Sequence, residues 1–178
     1  MEELRTARLV LHPIDDGDLD VVTRIHTDPE LMRHIHAGVP HVPEQCRADL
    51  DAARAHWRRH GCGSFVVRLH DDSAVGMVGF NTPVWLPEAL PGRDIGWTIF
   101  QAHQHHGYAT EAARAAIDWF FLSSIGDRVV GIHNTDNPRS GAVMERIGMQ
   151  WLLQTRHPDY GYPVEVWETT APTRREDR

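Results

Sequence analysis

The sequence predicts a mixed α/β fold in one domain, on three observations. A β-type run, Asp94-Ile-Gly-Trp-Thr-Ile-Phe100, feeds a turn, Gln104-His-His-Gly-Tyr-Ala-Thr110, that opens directly onto a helix. Strand-like and helix-like patterns alternate along the rest of the chain. Finally, 178 residues with 41% hydrophobic content can bury one real core, and no repeat or internal boundary interrupts them.

Residues 9–11 read as a strand, and a helix starts near Asp15 and Asp16, whose acidic side chains suit a helix N-terminus. After a Pro/His/Gly-rich break over 37–43, residues 44–60 read as a second helical region. Cys46, Leu50, Ala53 and Trp57 share one side of it, and Gly61 is a plausible terminator. Residues 64–69 and 75–80 form a hairpin around Asp71-Asp72-Ser73. The stretch 82–93 carries three prolines and leads into the strand at Asp94.

The helix after the turn is the best specified element. Ala109, Ala112, Ala113, Ala116, Ile117, Phe120 and Phe121 recur at the i, i+3, i+4, i+7 spacing of a buried stripe, with Arg114 and Asp118 on the other side. Its first turns are small and can lie close against a sheet. Beyond it, residues 128–132 read as a strand, 138–147 as a helix ended by Gly148, and 149–155 and 164–169 as a final strand pair. The domain is expected over 1–170, with a charged tail over 171–178 that frays.

The turn at 104–110 has the chemistry of a phosphate cradle. The amides of a first helical turn lack intrahelical partners, and the helix dipole places positive potential there. A ligand carrying a pyrophosphate is the first expectation. The net charge of −7 argues against nucleic acid, which needs a basic footprint, and mildly favours a cationic acceptor. No apolar run is long enough to cross a membrane, and charged residues at 2, 3, 5 and 8 break any signal-peptide pattern. Cys46 and Cys62 lack metal spacing, so a reducing cytoplasm is the default localisation.

Three motifs carry a resemblance: Asp94-Ile-Gly-Trp, Gln104-x-x-Gly-Tyr-Ala-Thr-Glu-Ala112, and Asn137-x-x-Ser-x-x-Val-x-Glu-Arg-Ile-Gly148. In that order, with a helix and strand between, they resemble the GNAT superfamily of acyl-CoA-dependent N-acyltransferases. The opening Thr6-Ala-Arg-Leu-Val-Leu-His-Pro13 is similar to its branch related to ribosomal-protein N-terminal (Rim-type) acetyltransferases. The likeness runs from about Thr6 to Thr170. It implies a mostly antiparallel twisted sheet of about six or seven strands with a central splayed parallel pair, flanked by about four helices.

The same resemblance implies the site. Backbone groups of Trp97, Thr98 and Ile99 would bond the pantetheine arm of acetyl-CoA, and an amide near Ile99 would hold the thioester carbonyl as an oxyanion donor. The loop Gln104, His105, His106, Gly107, Tyr108, Ala109 and Thr110 would receive the pyrophosphate, Gly107 by allowing close backbone approach and Thr110 by adding a hydroxyl. Relatives often carry glycine and then a basic residue where this chain has His105 and His106. That departure argues against a positive φ at His105 and against a permanent charge at His106. Both are expected to act through their backbone amides.

Asn137 before Pro138 is a strong helix start, with the asparagine as cap; relatives use the equivalent side chain on the pantetheine amide. Ser140 would lie near the CoA sulfur and return a proton to the leaving thiolate, against the plainer reading of a capping or solvated serine. For the base that deprotonates the amine, Asp94 is the first candidate and Glu165 the second, with Tyr160 as an alternative acid. Glu111 also matches the family motif, although an acidic residue in a first helical turn already makes sense through the dipole.

The implied activity is N-acetyl transfer from acetyl-CoA to a primary amine by direct attack. A transferase of a larger acyl group such as succinyl, and a non-catalytic acyl-CoA-binding module, are the alternatives. Peptide N-termini, polyamines, free amino acids and antibiotics all remain open as acceptors, and a homodimer is the commonest soluble assembly. Thirteen histidines, including His34-x-His36 and His103-x-His105-His106, raise the question of a metal. No His-Glu-x-x-His or Cys-pair signature accompanies them, so no metal site is expected. Trp85, in the proline-rich stretch, is expected at an acceptor rim.

Overall fold

A computed structural model describes residues 3–35 and 37–172. His36 of the His34-x-His36 spacing and residues 173–178 of the tail lie outside the described residues. An eight-stranded sheet forms the frame, in the order β1-β2-β3-β4-β5-β6-β8-β7. The strands are β1 (Leu4–Arg5), β2 (Leu9–Pro13), β3 (Ser64–Leu69), β4 (Ala74–Asn81), β5 (Arg93–Ile99), β6 (Arg128–Asn134), β7 (Gln150–Arg156) and β8 (Pro163–Thr170). Every pairing is antiparallel except that of β5 with β6.

The parallel pair is the feature that positions the site. Its register holds only at Arg93↔Val129 and Asp94↔Val130. Beyond Asp94, β5 continues to pair with β4 as far as Ile99↔Gly76, while β6 pairs with β8 along its whole length. The two strands therefore splay, and alternate residues over 95–99 turn their amides and carbonyls into the gap.

The sheet has one strand more than the upper expectation. The extra strand is two-residue β1, which folds back on β2 with Leu4↔Leu11 and Arg5↔Val10 in register. Among the described residues five α-helices stand where about four helices were expected: α1 (Leu19–His26), α2 (Pro29–Met32), α3 (Pro43–His60), α4 (Tyr108–Leu122) and α5 (Pro138–Arg146). The added one, α2, is a single turn, with Pro29 at the first position and Asp28 accepting from the Glu30 and Leu31 amides. At the other extreme α3 ends as predicted, on Gly61 at φ 68°.

Packing follows the stripes. Ala112, Ala113 and Ala116 of α4 are completely buried, and α4 lies against β5, β4 and β2. At its wide end, Trp119 packs edge-on to Phe65 at 5.2 Å between ring centroids, and Phe120 stacks on Phe80 at 4.9 Å. α1 packs on α3. A buried polar knot ties β2 and β3 to the turn before α1: Asp18, 2% exposed, accepts from His12 Nε2 at 2.9 Å, Arg68 Nη2 at 3.2 Å and the Asp15 amide at 2.9 Å.

Candidate active site

The splay opens into a cleft of about 1540 Å³ that runs from the start of α4 past β5 and β6 to the turn between β7 and β8. At its α4 end the cradle is present. Gly107 occupies the cap position at φ 80° and offers no side-chain cap. The first helical hydrogen bond, Glu111 N–H to Gly107 O at 3.1 Å, leaves the amides of Tyr108, Ala109 and Thr110 ahead of it. An uncapped terminus of this kind is a ready anion site.

His105 corrects one expectation. It adopts φ 65° in spite of its Cβ. The surrounding loop over-determines that conformation: Gln104 Nε2 donates to Ile99 O at 3.0 Å, His106 Nδ1 donates to Gln104 O at 2.7 Å, and Arg8 Nη1 donates to His106 O at 2.9 Å. Histidine is among the non-glycine residues that tolerate the left-handed region best.

Arg8, which the sequence reading did not single out, is the brace of this loop. Its guanidinium lies 4.9 Å from the Tyr108 ring centroid and pairs with Glu111, which also accepts from Thr6 Oγ1 at 2.6 Å. Burial opposes ionisation of Glu111, but the Thr6 and Arg8 hydrogen bonds outweigh it and hold the carboxyl below its ordinary range. Arg8 falls inside the Thr6-Ala-Arg-Leu motif, and that was its signal.

The predicted residues divide clearly. Trp97, Thr98 and Ile99 line the cleft on the β5 side. Gln104, His105, Gly107, Tyr108, Ala109 and Thr110 line its α4 end, and Asn137 and Ser140 its α5 side. The His106 ring lies outside it, stacked on Tyr108 at 5.5 Å. The Gln104 side chain is committed to Ile99 O and accepts from Arg139 Nη1 at 3.4 Å, so it braces the end of β5.

Asn137 sits at the cap position of α5, but its side chain makes no cap hydrogen bond. Instead Nδ2 donates to Ser140 Oγ at 3.1 Å. The pair thus presents one oriented hydroxyl at the helix start.

Asp94 occupies the point where the strands part. Burial pushes its carboxyl up to about 7, against a partly offsetting hydrogen bond from the Ile132 amide, which β5 no longer pairs. Its Oδ1 is enclosed and unpartnered. A carboxyl poised near neutrality in a cleft can exchange a proton with an amine.

Glu165 does not line the cleft. It is cross-strand from His133, whose Nε2 lies 3.3 Å from Glu165 Oε2; His133, 7% exposed, also lies against α5, where a Cβ added at Gly141 would meet its Nε2 at 3.0 Å. His133 is a cleft residue that the sequence reading missed, because a lone histidine in an apolar strand carries no pattern.

Tyr160 does line the cleft, at the β7–β8 turn. Its ring stacks on His157 at 4.4 Å, and His157 lies 4.4 Å from Trp85. Trp85 therefore lies at a rim of the cleft.

Comparison with known proteins bears on this geometry. Residues 8–150 match the acetyltransferase (GNAT) domain family. The chain is 27% identical over 148 residues to YnaD of Bacillus subtilis strain 168, described as an uncharacterised N-acetyltransferase, covering 83% of this chain and 82% of that protein. An acetyltransferase from Agrobacterium tumefaciens C58 superposes with a TM-score of 0.80 at 26% identity, over 95% of this chain and 94% of its own. The RimL ribosomal L7/L12 α-N-protein acetyltransferase in complex with coenzyme A gives a TM-score of 0.81 over 95% of this chain and 98% of its own. At 15% identity that likeness is one of fold.

Proposed function

This chain belongs to the GNAT acetyltransferase family, and on that premise we propose that it transfers the acetyl group of acetyl-CoA to a primary amine by direct attack. The observation that carries this reading is the splay after Asp94↔Val130 leading to the uncapped start of α4 in one cleft. An extended arm needs strand-like partners and a pyrophosphate needs free amides, and the cleft provides both in sequence.

Acetyl-CoA supplies an activated thioester carbonyl. The amides of Tyr108, Ala109 and Thr110 hold its diphosphate, and the unpaired edge of β5 over 95–99 aligns the pantetheine arm. An amide near Ile99 donates to the carbonyl oxygen as charge builds there, a contribution typically worth ~10²–10³ in rate. Ser140, oriented by Asn137, returns a proton to the thiolate. Asp94, with its carboxyl near 7, accepts the proton the amine gives up.

A protein N-terminus, with a pKa near ~8, is partly neutral at pH 7 and needs little help; an alkyl amine near ~10.4 needs the base. RimL acts on the N-terminus of a ribosomal protein, and a peptide N-terminus is the first acceptor class to try, with polyamines second. Cys46 and Cys62, both buried and unpaired, suit the reducing cytoplasm in which such substrates occur.

The test is thermal stabilisation by CoA, acetyl-CoA and succinyl-CoA, followed by thiol release with a panel of amines. Selective stabilisation by acetyl-CoA with thiol release supports the reading. Preference for succinyl-CoA reassigns the donor, and equal stabilisation by CoA and its esters with no release from any amine identifies a binding module.

A further inference from the structure

We propose that His26, His41 and Asp49 form a site for a divalent transition-metal ion of the zinc class, set in the cleft wall on the α1–α3 side. Three separate segments supply one donor each. His26 is the last residue of α1, Asp49 lies on the second turn of α3, and His41 is on the connection that enters α3. The Nδ1 atoms of both imidazoles lie 2.7 Å from the same oxygen, Asp49 Oδ2, and the three donor atoms all fall within 4.8 Å of one another.

That convergence has the dimensions of a coordination shell. Zinc binds imidazole nitrogen and carboxylate oxygen at ~2.0–2.2 Å, so donors around a tetrahedral centre stand roughly 3.3 Å apart. Each imidazole needs to withdraw from the carboxylate by about half an ångström to admit the ion. The backbone keeps the donors together meanwhile, since the His41 amide donates to His26 O at 2.7 Å. The two imidazoles cross edge-to-face at 5.3 Å, with interplanar angle 85°, so their ring planes diverge around the shared carboxylate.

The donor set selects the ion. Two imidazoles and one carboxylate suit zinc, cobalt or nickel, whereas calcium and magnesium prefer shells made of oxygen donors. The side chains keep 20%, 23% and 27% of their surface for His26, His41 and Asp49, enough for entry from solvent. Binding requires each imidazole to present its Nδ1 lone pair to the ion, with its remaining proton on Nε2, and Asp49 to bind as the carboxylate. Three protein ligands leave a fourth position for water or substrate. His26 and Asp49 both line the cleft, which places the cluster on its α1–α3 side. Of the spacings singled out in the sequence, His34, His103, His105 and His106 are not members of this cluster, and His36 lies outside the described residues.

The experiment titrates Zn²⁺ alone into the chelator-treated full chain, without CoA, by calorimetry, and repeats it with Co²⁺ while recording the visible spectrum. Saturable uptake of about one equivalent is expected, with Co²⁺ giving the visible bands of a low-symmetry four-coordinate ion. Asp49→Ala and His41→Gln should each weaken uptake roughly 10-fold or more, and each variant is required to keep the melting transition and CoA binding of the parent. His41→Gln retains a hydrogen-bond donor toward Asp49 and serves where Asp49→Ala fails to fold. Absence of saturable uptake, or uptake unchanged in a folded variant, overturns the proposal. Because CoA takes no part in the titration, either result leaves the proposed acetyl transfer standing or falling on its own test.

Discussion

Asn137 Nδ2 donates to Ser140 Oγ across 3.1 Å, so the first turn of α5 carries a hydroxyl whose orientation is set by its own cap residue. Ser140→Ala should lower kcat by about 10²-fold, toward the small end of general-acid effects, because a thiol of pKa ~8.5 leaves without much assistance. Asn137→Ala should lower kcat less and raise KM for acetyl-CoA. Steady-state thiol release measures both, and a Ser140→Ala enzyme with unchanged kcat would remove the serine from the reaction.

Asp94 titrates at about 7 when folded and near ~3.9 when unfolded. Between those values the folded chain holds the extra proton, so its stability falls as pH rises through that window. Asp94→Asn has no such proton and should lose the slope: its Tm relative to the parent rises between about pH 4 and pH 7. Its activity toward alkyl amines should drop by about 10²-fold, and the parent's rise in kcat around pH 7 should vanish. Calorimetry across pH, paired with rate profiles, checks both limbs; parallel stability curves would contradict the assignment.

Gly107 at φ 80° caps α4 without a side chain, and an added Cβ would meet Arg8 Nη2 at 3.5 Å, an ordinary contact. Gly107→Ala therefore costs mainly backbone strain, about 1–2 kcal/mol. CoA should bind roughly 10-fold more weakly if the cradle shifts by an equivalent energy. Chemical denaturation and calorimetric titration with CoA separate the two effects, and full CoA affinity in the variant would move the diphosphate elsewhere.

The Asp18–His12–Arg68 knot sets a second pH response. The Asp18 hydrogen bond raises His12 above its ordinary value despite burial, so its contribution is complete below ~6.5 and lost as pH rises through the raised value. Burial opposes ionisation of Asp18, but its hydrogen bonds from His12, Asp15 and Arg68 lower it, so its contribution is present above ~3.9 and lost as pH falls through the lowered value. Asp18→Ala should destabilise by about 3 kcal/mol or more, as breaking a buried ion pair does. Urea unfolding at pH values inside and outside that window is the measurement, and a variant within experimental error of the parent would show the knot to be ornamental.

Much of the fold was legible because its strongest elements are periodic. The alanine stripe of α4 and the stop at Gly61 need only local physics, and both stand as read. β1 escaped notice because two residues cannot show a period, and its pairing with β2 is a tertiary event. The Asp28-Pro29 start of α2 was visible in principle, but one turn is too short to carry an apolar stripe. In the cleft, the cradle followed from the helix start, whereas the positive φ of His105 depends on Arg8, far away in sequence. Glu165 was the second candidate base by its place on the last strand, and only the tertiary structure shows that it does not line the cleft and sits cross-strand from His133.

The two-rung contact between β5 and β6 makes the sheet a pair of panels sharing a short seam. One panel is β1 to β5, the other β6, β8 and β7, and on the proposed reading the donor molecule would act as a removable slat between them. Loading it would brace the two panels against each other, so amide hydrogens of β6 should exchange more slowly in the charged enzyme than in the empty one. On that reading the slat would go in first, and the acceptor would then meet the firmer wall; initial-rate patterns with both substrates varied would check that order.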